Sequence, residues 1–186
     1  MARKKSAPPE LTPNGRIPAP FTVAVDSNEK GHGTDYKFEG IRANADQNNA
    51  IFEVSKVYRV LHEGDYAVDG LPGFVVERKT KKDLFASIGK RENFRERMEI
   101  LQSHYRSSII MIESEPSEID KNPPSFPCPK TGLSRIYPSV LMVNRTIQSW
   151  LLDYPNVHWF FAENRRKAEV WTFRFLQAHW KKNGIR

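Results

Sequence analysis

A mixed α/β layer is the fold class that this sequence predicts. Three observations carry it: short β-branched and aromatic runs, helical stretches between them, and a turn signal closing two runs into a hairpin. Order begins at "FTVAVDS", where Phe21, Val23 and Val25 alternate with smaller neighbours as a strand requires. The polar "NEKGHGTD" follows as a loop, and residues 36–50 fit no single element. "IFEVSKVYRVL" (51–61) is extended structure, and "DYAV" and "FVVERK" flank the turn signal "DGLPG" as a β-hairpin. "KKDLFASIG" is a short helix closed by Gly89, and 91–106 a second, with Phe94, Met98, Leu101 and Tyr105 on one face. The continuous apolar run in "SSIIMIES" (107–114) fits a strand covered on both faces. Residues 115–135 hold five prolines and read as a long mobile loop. Pro138 suits the first turn of a helix 138–153, with Val140, Asn144, Ile147 and Leu151 along one side. "NVHWFFA" is a last strand, and 163–182 a last helix carrying Trp171, Phe173, Phe175, Leu176 and Trp180. Residues 1–20, rich in Pro, Lys and Arg, read as a disordered basic tail, which leaves 21–183 as one domain.

Composition narrows the partners. The 186 residues carry 29 basic and 22 acidic side chains, a net charge of +7, which favours polyanions and nucleic acid above all. One cysteine, Cys128 in "PSFPCPK", excludes an internal disulfide and a multi-cysteine zinc site, and the five histidines show no metal-ligand spacing. No apolar run approaches membrane-spanning length, and the N-terminus lacks the apolar segment of a secretory signal. The expectation is a soluble intracellular protein with no membrane partner and no small-molecule cofactor.

The stretch "GDYAVDGLPGFVVERKTKKD" (64–83) concentrates the chemistry. Strand alternation puts Val75, Glu77 and Lys79 on one face and Phe74, Val76 and Arg78 on the other. The hairpin brings Asp65 alongside Glu77 and Lys79, so two carboxylates and an ammonium share a small volume. Phosphodiester hydrolysis needs that combination: carboxylates to hold Mg²⁺ with its waters, and a lysine to position water and stabilise developing charge. Asp83, in the first turn of the next helix, can look back at the site, although the helix dipole explains a carboxylate there equally well. A plain ion pair at a strand end accounts for Glu77 and Lys79 if they are taken alone.

The ordered set is more specific. "GDY…VERKTKKD" resembles the signature of the XPF-type structure-specific endonuclease domain, Gly-Asp, a spacer, then Glu-Arg-Lys-x-x-x-Asp. "VAVDSNE" is similar to that family's upstream Asp-x-Arg-Glu motif, and the resemblance continues through "FRERMEILQSHYRSSIIMIES" and "YPNVHWFFAENRRKAEVWTF", about residues 21–182. It implies a restriction-endonuclease-like fold, a central mixed β-sheet flanked by helices on both faces. It also implies a Mg²⁺-dependent endonuclease, with Mn²⁺ as the alternative ion, acting on branched, flapped or irregular DNA in repair or recombination. Asp65 and Glu77 become metal ligands with Asp26 as an additional acid, Lys79 the catalytic lysine, Arg78 a supporting residue and Glu29 a supporting acid. Asp83 completes the motif and binds metal through water or holds Lys79 or Arg78. Asn28 stands where the family has arginine, with Lys30 nearby, and no helix-hairpin-helix module follows, so a stand-alone form is expected. The alternative is a catalytically inactive DNA-binding or partner-docking module of the same fold.

Basic residues extend this reading. Lys81, Lys82, Lys90, Arg91, Arg95 and Arg97 follow the motif as a basic surface for the phosphate backbone, with Lys81, Lys82, Arg91 and Arg95 the candidate contacts, interleaved with Glu92, Glu96 and Glu99. Arg165, Arg166 and Lys167 form a second cluster at a helix start, read as surface charge or an anion contact. The last helix is aromatic on more than one face, which makes Trp180 a candidate contact in a homodimer.

Overall fold

The computed structural model describes residues 11–43, 50–127, 134–135 and 137–184. In chain order its first half runs β1 (Ile17–Pro18), β2 (Val23–Asp26), α1 (Ser27–His32), β3 (Phe52–Glu53), β4 (Lys56–Arg59), β5 (Tyr66–Val68) and β6 (Leu71–Lys79). The second half runs α2 (Lys81–Gly89), α3 (Arg91–His104), β7 (Ser107–Ile112), α4 (Pro116–Lys121), β8 (Phe126–Pro127), β9 (Ser134–Arg135), α5 (Val140–Asp153), β10 (Val157–Phe161) and α6 (Arg165–Asn183). Among the described residues, six strands form one mixed sheet in the order β10-β7-β6-β5-β2-β4. β5 runs antiparallel to β2 and β6, whereas β7 is parallel to both β6 and β10. Helices α2, α3 and α5, which cross between parallel strands, cover one face of the sheet, and the last helix, α6, covers the other.

Alternation along the central strands builds two cores. Phe74, Val76, Ile109 and Met111 face Phe173 and Leu176 of α6, while Val75, Ile110 and Ile112 face α2, α3 and α5 through Leu84, Met98 and Trp150. The expected fold class, with β7 buried on both faces, is the one observed. No helix among the described residues is long and apolar enough to cross a membrane.

The differences from expectation have local causes. Ile17 is buried and its amide donates to Ile51 O at 2.9 Å, so order begins before Phe21; residues 1–10 of the expected tail lie outside the described residues. The polar "NEKGHGTD" contains most of α1, and the ambiguous 36–43 stretch buries Tyr36, Phe38 and Ile41 in the core; 44–49 are outside the described residues. α6 holds that stretch in place: Arg165 donates to the carbonyls of Thr34 and Asp35, Arg166 to Glu39 O and Arg174 to Arg42 O, while Glu169 accepts from Phe38 N. Arg165 and Arg166 are therefore carbonyl clamps rather than a free anion-binding cluster. The 115–135 loop contains α4 and an antiparallel pairing of β8 with β9, while 128–133, including Cys128, lie outside the described residues.

α5 starts two residues later than expected, after Ser139, whose hydroxyl accepts from Met142 N at 3.3 Å. It buries Val143, Thr146, Ile147 and Trp150, and leaves Leu151 49% exposed, because Trp150 seats against Phe94 with ring centroids 5.2 Å apart. Trp180 packs against Phe21 at 6.2 Å instead of standing free, and the exposed aromatic of α6 is Trp171.

Beside this clamped stretch, Asp35 is 2% exposed and accepts from Lys56 at 2.6 Å, Lys37 at 2.9 Å and Tyr58 at 3.1 Å. Burial by itself raises the Asp35 carboxyl, but the hydrogen bonds from Lys56 and Lys37 and the Lys56 charge outweigh it and bring the pKa to about 2. A carboxyl held below its unfolded value of about 3.9 adds stability above that pH and loses it as pH falls toward the folded value. Asp35→Asn is therefore expected to lower stability by about 2 kcal/mol near neutral pH, with the gap from wild type closing between about pH 4 and pH 2. Urea unfolding followed across that range checks it.

Candidate active site

β6 ends in three charged residues, Glu77, Arg78 and Lys79, and alternation sends them to different faces. Glu77 and Lys79 go to the α2 and α3 side, where they are 3% and 4% exposed. Charges so withdrawn from water need partners. Lys79 Nζ donates to Glu77 Oε1 at 2.7 Å and lies 5.1 Å from the Phe94 ring centroid. Arg97, from α3, places Nη2 3.0 Å from the same Glu77 oxygen while its Nε donates to Glu63 Oε2 at 2.8 Å. Glu77 Oε2 is buried and has no partner.

Asp65 stands beside Glu77 because β5 pairs with β6 through Tyr66 and Val76. Its amide donates to Val76 O at 2.8 Å, its carbonyl accepts from Asp26 N at 2.9 Å, and its Oδ2 accepts from Arg78 N at 2.6 Å. Loss of hydration first, and the Glu77 carboxylate second, push the Asp65 carboxyl well above the ordinary carboxylate range. The preceding Gly64 adopts φ +91°, and a Cβ there would run into the Val75 side chain. The Gly of the Gly-Asp pair is thus demanded twice, by backbone conformation and by the close approach of β6.

Arg78 serves the opposite face. Its guanidinium donates to Glu113 Oε1 at 2.7 Å and Oε2 at 3.4 Å, reaches Glu29 at 3.3 Å, and lies 5.7 Å from the Tyr36 ring centroid. Tyr36 donates its hydroxyl to Glu113 at 2.9 Å, and burial together with that carboxylate pushes the phenol upward, which keeps it a donor. Glu29 is accordingly a supporting acid for Arg78, and Arg78 holds Asp65 through its amide rather than through its guanidinium.

A cleft of about 400 Å³ opens over these groups, lined among others by Asp26, Asn28, Glu29, Asp65, Glu77 and Lys79. Asp26 lies at its wall, but its Oδ2 accepts from Asn28 N and its Oδ1 from Leu61 N, both at 3.0 Å. Among the described residues, no three acidic, histidine or cysteine side chains surround one point closely enough to hold a metal ion, so Asp26 does not complete a ready cluster. Asp83 reaches the cleft rim, yet it hydrogen-bonds with Thr80 at 2.6 Å and takes Thr80 as its helix cap at 3.1 Å. It touches neither Lys79 nor Arg78, whose partners lie elsewhere. The Lys30 side chain is outside the described residues.

None of the four expected DNA contacts lines the cleft. Arg91 donates to Thr146 at 3.2 Å and lies 5.6 Å from the Trp150 ring centroid, which ties α3 to α5. Arg95 pairs with Glu92 at 3.2 Å, Lys81 reaches Glu118 O at 3.5 Å, and Lys82 is exposed. Sequence reading missed Glu63 and Glu113, and it put Arg97 on the basic surface after the motif rather than at Glu77 in the cleft. Glu113 had a signal, since it ends the apolar run of β7 as Glu77 ends that of β6. Arg97 had its place in the basic run, but nothing in the sequence turned it toward Glu77.

The donor set fits a divalent cation held by two carboxylates and otherwise by water, the mode Mg²⁺ prefers. Glu77 keeps one buried oxygen unpartnered, and Asp65 and Glu77 repel each other in a way that a cation between them relieves. The ERCC4 domain family model matches residues 25–175. The chain belongs to the ERCC4 domain family. Its fold is also that of solved XPF structures. XPF from Aeropyrum pernix in complex with DNA superimposes with a TM-score of 0.61 at 19% identity, covering 89% of this chain and 68% of that one. A second structure of XPF from Aeropyrum pernix gives 0.62 at 19% identity, covering 89% and 64%. This ERCC4 domain thus spans about two thirds of those chains. No curated protein sequence matches it.

Gly64→Ala is expected to destabilise the ERCC4 domain by about 2 kcal/mol, the usual size of a strained φ combined with an overpacked contact. Thermal unfolding of Gly64→Ala, Val75→Ala and the double variant checks the cause. The double variant should lose less stability than the two single losses added together.

Proposed function

We propose that the chain is a divalent-metal-dependent DNA endonuclease acting on branched, flapped or otherwise irregular DNA. The observation that carries this reading is the Asp65 and Glu77 pair, raised in pKa at Asp65 and unpartnered at Glu77 Oε2, with Lys79 bound to Glu77. Asp65 and Glu77 would hold the ion, and a divalent cation there supplies activation of water and neutralisation of charge on the phosphate. Lys79 orients Glu77 through its 2.7 Å hydrogen bond, and its ammonium stands ready to stabilise negative charge developing beside it. Arg78, Glu113 and Tyr36 form the rigid backing that fixes the Asp65 carboxylate by way of the Arg78 amide. Asp26 braces the rim by tying α1 and Leu61 together. The XPF complex with DNA supports the substrate class, and the net charge of +7 supports a polyanion. The exposed sides of Lys82 and Arg95 are left for backbone contacts outside the cleft.

Flap, fork and duplex DNA incubated with and without Mg²⁺ test the reading. Cleavage should require the ion and favour the branched forms. Asp65→Asn and Glu77→Gln should each lower the rate at least about a hundredfold. Cleavage that persists in both variants would overturn the site.

The two variants should part company in stability. A carboxyl whose folded pKa is raised costs stability above its unfolded pKa, so Asp65→Asn should melt at a higher temperature than wild type at neutral pH. Glu77→Gln leaves the buried Lys79 without its anion and should melt lower. Paired melting curves at about pH 7 read both shifts.

A further inference from the structure

Six carboxylates, Asp26, Glu29, Glu63, Asp65, Glu77 and Asp83, line the cleft against three permanent cations, Arg78, Lys79 and Arg97. A phosphodiester entering this cleft meets an excess of negative charge, so a cation free to turn toward it decides whether it binds. Arg78 is not free: its side chain is 9% exposed and is held by Glu113 and Glu29 on the far face of the sheet. Lys79 is not free either, at 5% side-chain exposure, packed on Phe94 and bonded to Glu77. The Arg97 side chain is 41% exposed.

Two further details single out Arg97. Glu77 Oε1 is approached by Lys79 at 2.7 Å and by Arg97 at 3.0 Å, so Arg97 can leave without stranding a buried carboxylate. Glu63 grips Arg97 at Nε, the nitrogen nearest the aliphatic stem, at 2.8 Å. The outer nitrogens can therefore swing while the stem stays anchored. Those outer nitrogens form the planar fork that matches phosphate oxygens.

We propose that Arg97 is a substrate-binding residue of the cleft, tethered at Nε by Glu63 and turning its outer nitrogens from Glu77 to the DNA phosphate backbone. The inference rests on the nuclease reading for its substrate, but it makes a binding prediction that holds without turnover. Glu63 acts as the parking carboxylate that keeps the guanidinium at the rim when DNA is absent.

Equilibrium binding of a labelled fork DNA, with Ca²⁺ in place of Mg²⁺ and across a salt series, tests it. Arg97→Gln should weaken binding about 5- to 20-fold and reduce the slope of log K against log salt by about one, with the melting temperature near wild type. Arg97→Lys should keep the slope and recover part of the affinity, since charge returns without the fork. Glu63→Gln should keep the slope and tighten binding. An Arg97→Gln protein with wild-type slope and affinity, or a Glu63→Gln protein that binds more weakly, would overturn the assignment. Cleavage by wild type in Mg²⁺ is read separately: its failure counts against the nuclease reading, while the salt slope still decides Arg97.

Discussion

Everything in the site depends on ending a strand that is buried on both faces with three consecutive charges. Val75 and Val76 are fully buried on opposite sides, so Glu77, Arg78 and Lys79 inherit two low-dielectric environments rather than one solvent-facing rim. Each charge must then be neutralised where alternation leaves it. On one face Glu113 and Glu29 answer Arg78, and on the other Lys79 and Arg97 answer Glu77. A buried ion left without its partner costs about 3–5 kcal/mol, a sizeable share of a domain's net stability, so the pairings of the buried Arg78 and Lys79 are conditions of folding as well as of chemistry.

The far face explains how a surface stretch becomes a scaffold. Tyr36 reaches Glu113 and stacks on Tyr66 with ring centroids 4.8 Å apart, and the Tyr66 hydroxyl in turn accepts from Tyr36 N at 2.9 Å. α6 closes this arrangement by binding the carbonyls of the 34–43 stretch with Arg165, Arg166 and Arg174. The charged start of α6, unfavourable for its own dipole, is thus compensated by backbone oxygens of another segment. The cleft face is thus positioned from behind by a crowded opposite face.

On the cleft side the balance is deliberately incomplete. Asp65 is squeezed against Glu77, one Glu77 oxygen has no donor, and carboxylates outnumber fixed cations. A site that is short of positive charge when empty is suited to acquiring it from a cation and a mobile arginine at the moment substrate binds. That is the physical link between the strain at Asp65 and the proposed chemistry.

By itself the sequence determined the fold class, the hairpin, the strand buried on both faces, and the grouping of Asp65, Glu77 and Lys79. These follow from short-range rules: period-two alternation, turn residues, and a spacing that carries the family motif. Tertiary structure alone decided which charges pair. Arg97 and Glu63 are 34 positions apart, and Arg78 and Glu113 are 35 apart, so no local pattern couples them. It also decided that Arg91 braces α5, that Asp83 pairs with the helix cap Thr80, that Asp26 gives its oxygens to backbone amides, and that α5 turns its Trp150 face inward. A long side chain at a helix border can reach either solvent or a cleft. Only the packing of α3 across the end of β6 sends Arg97 to Glu77.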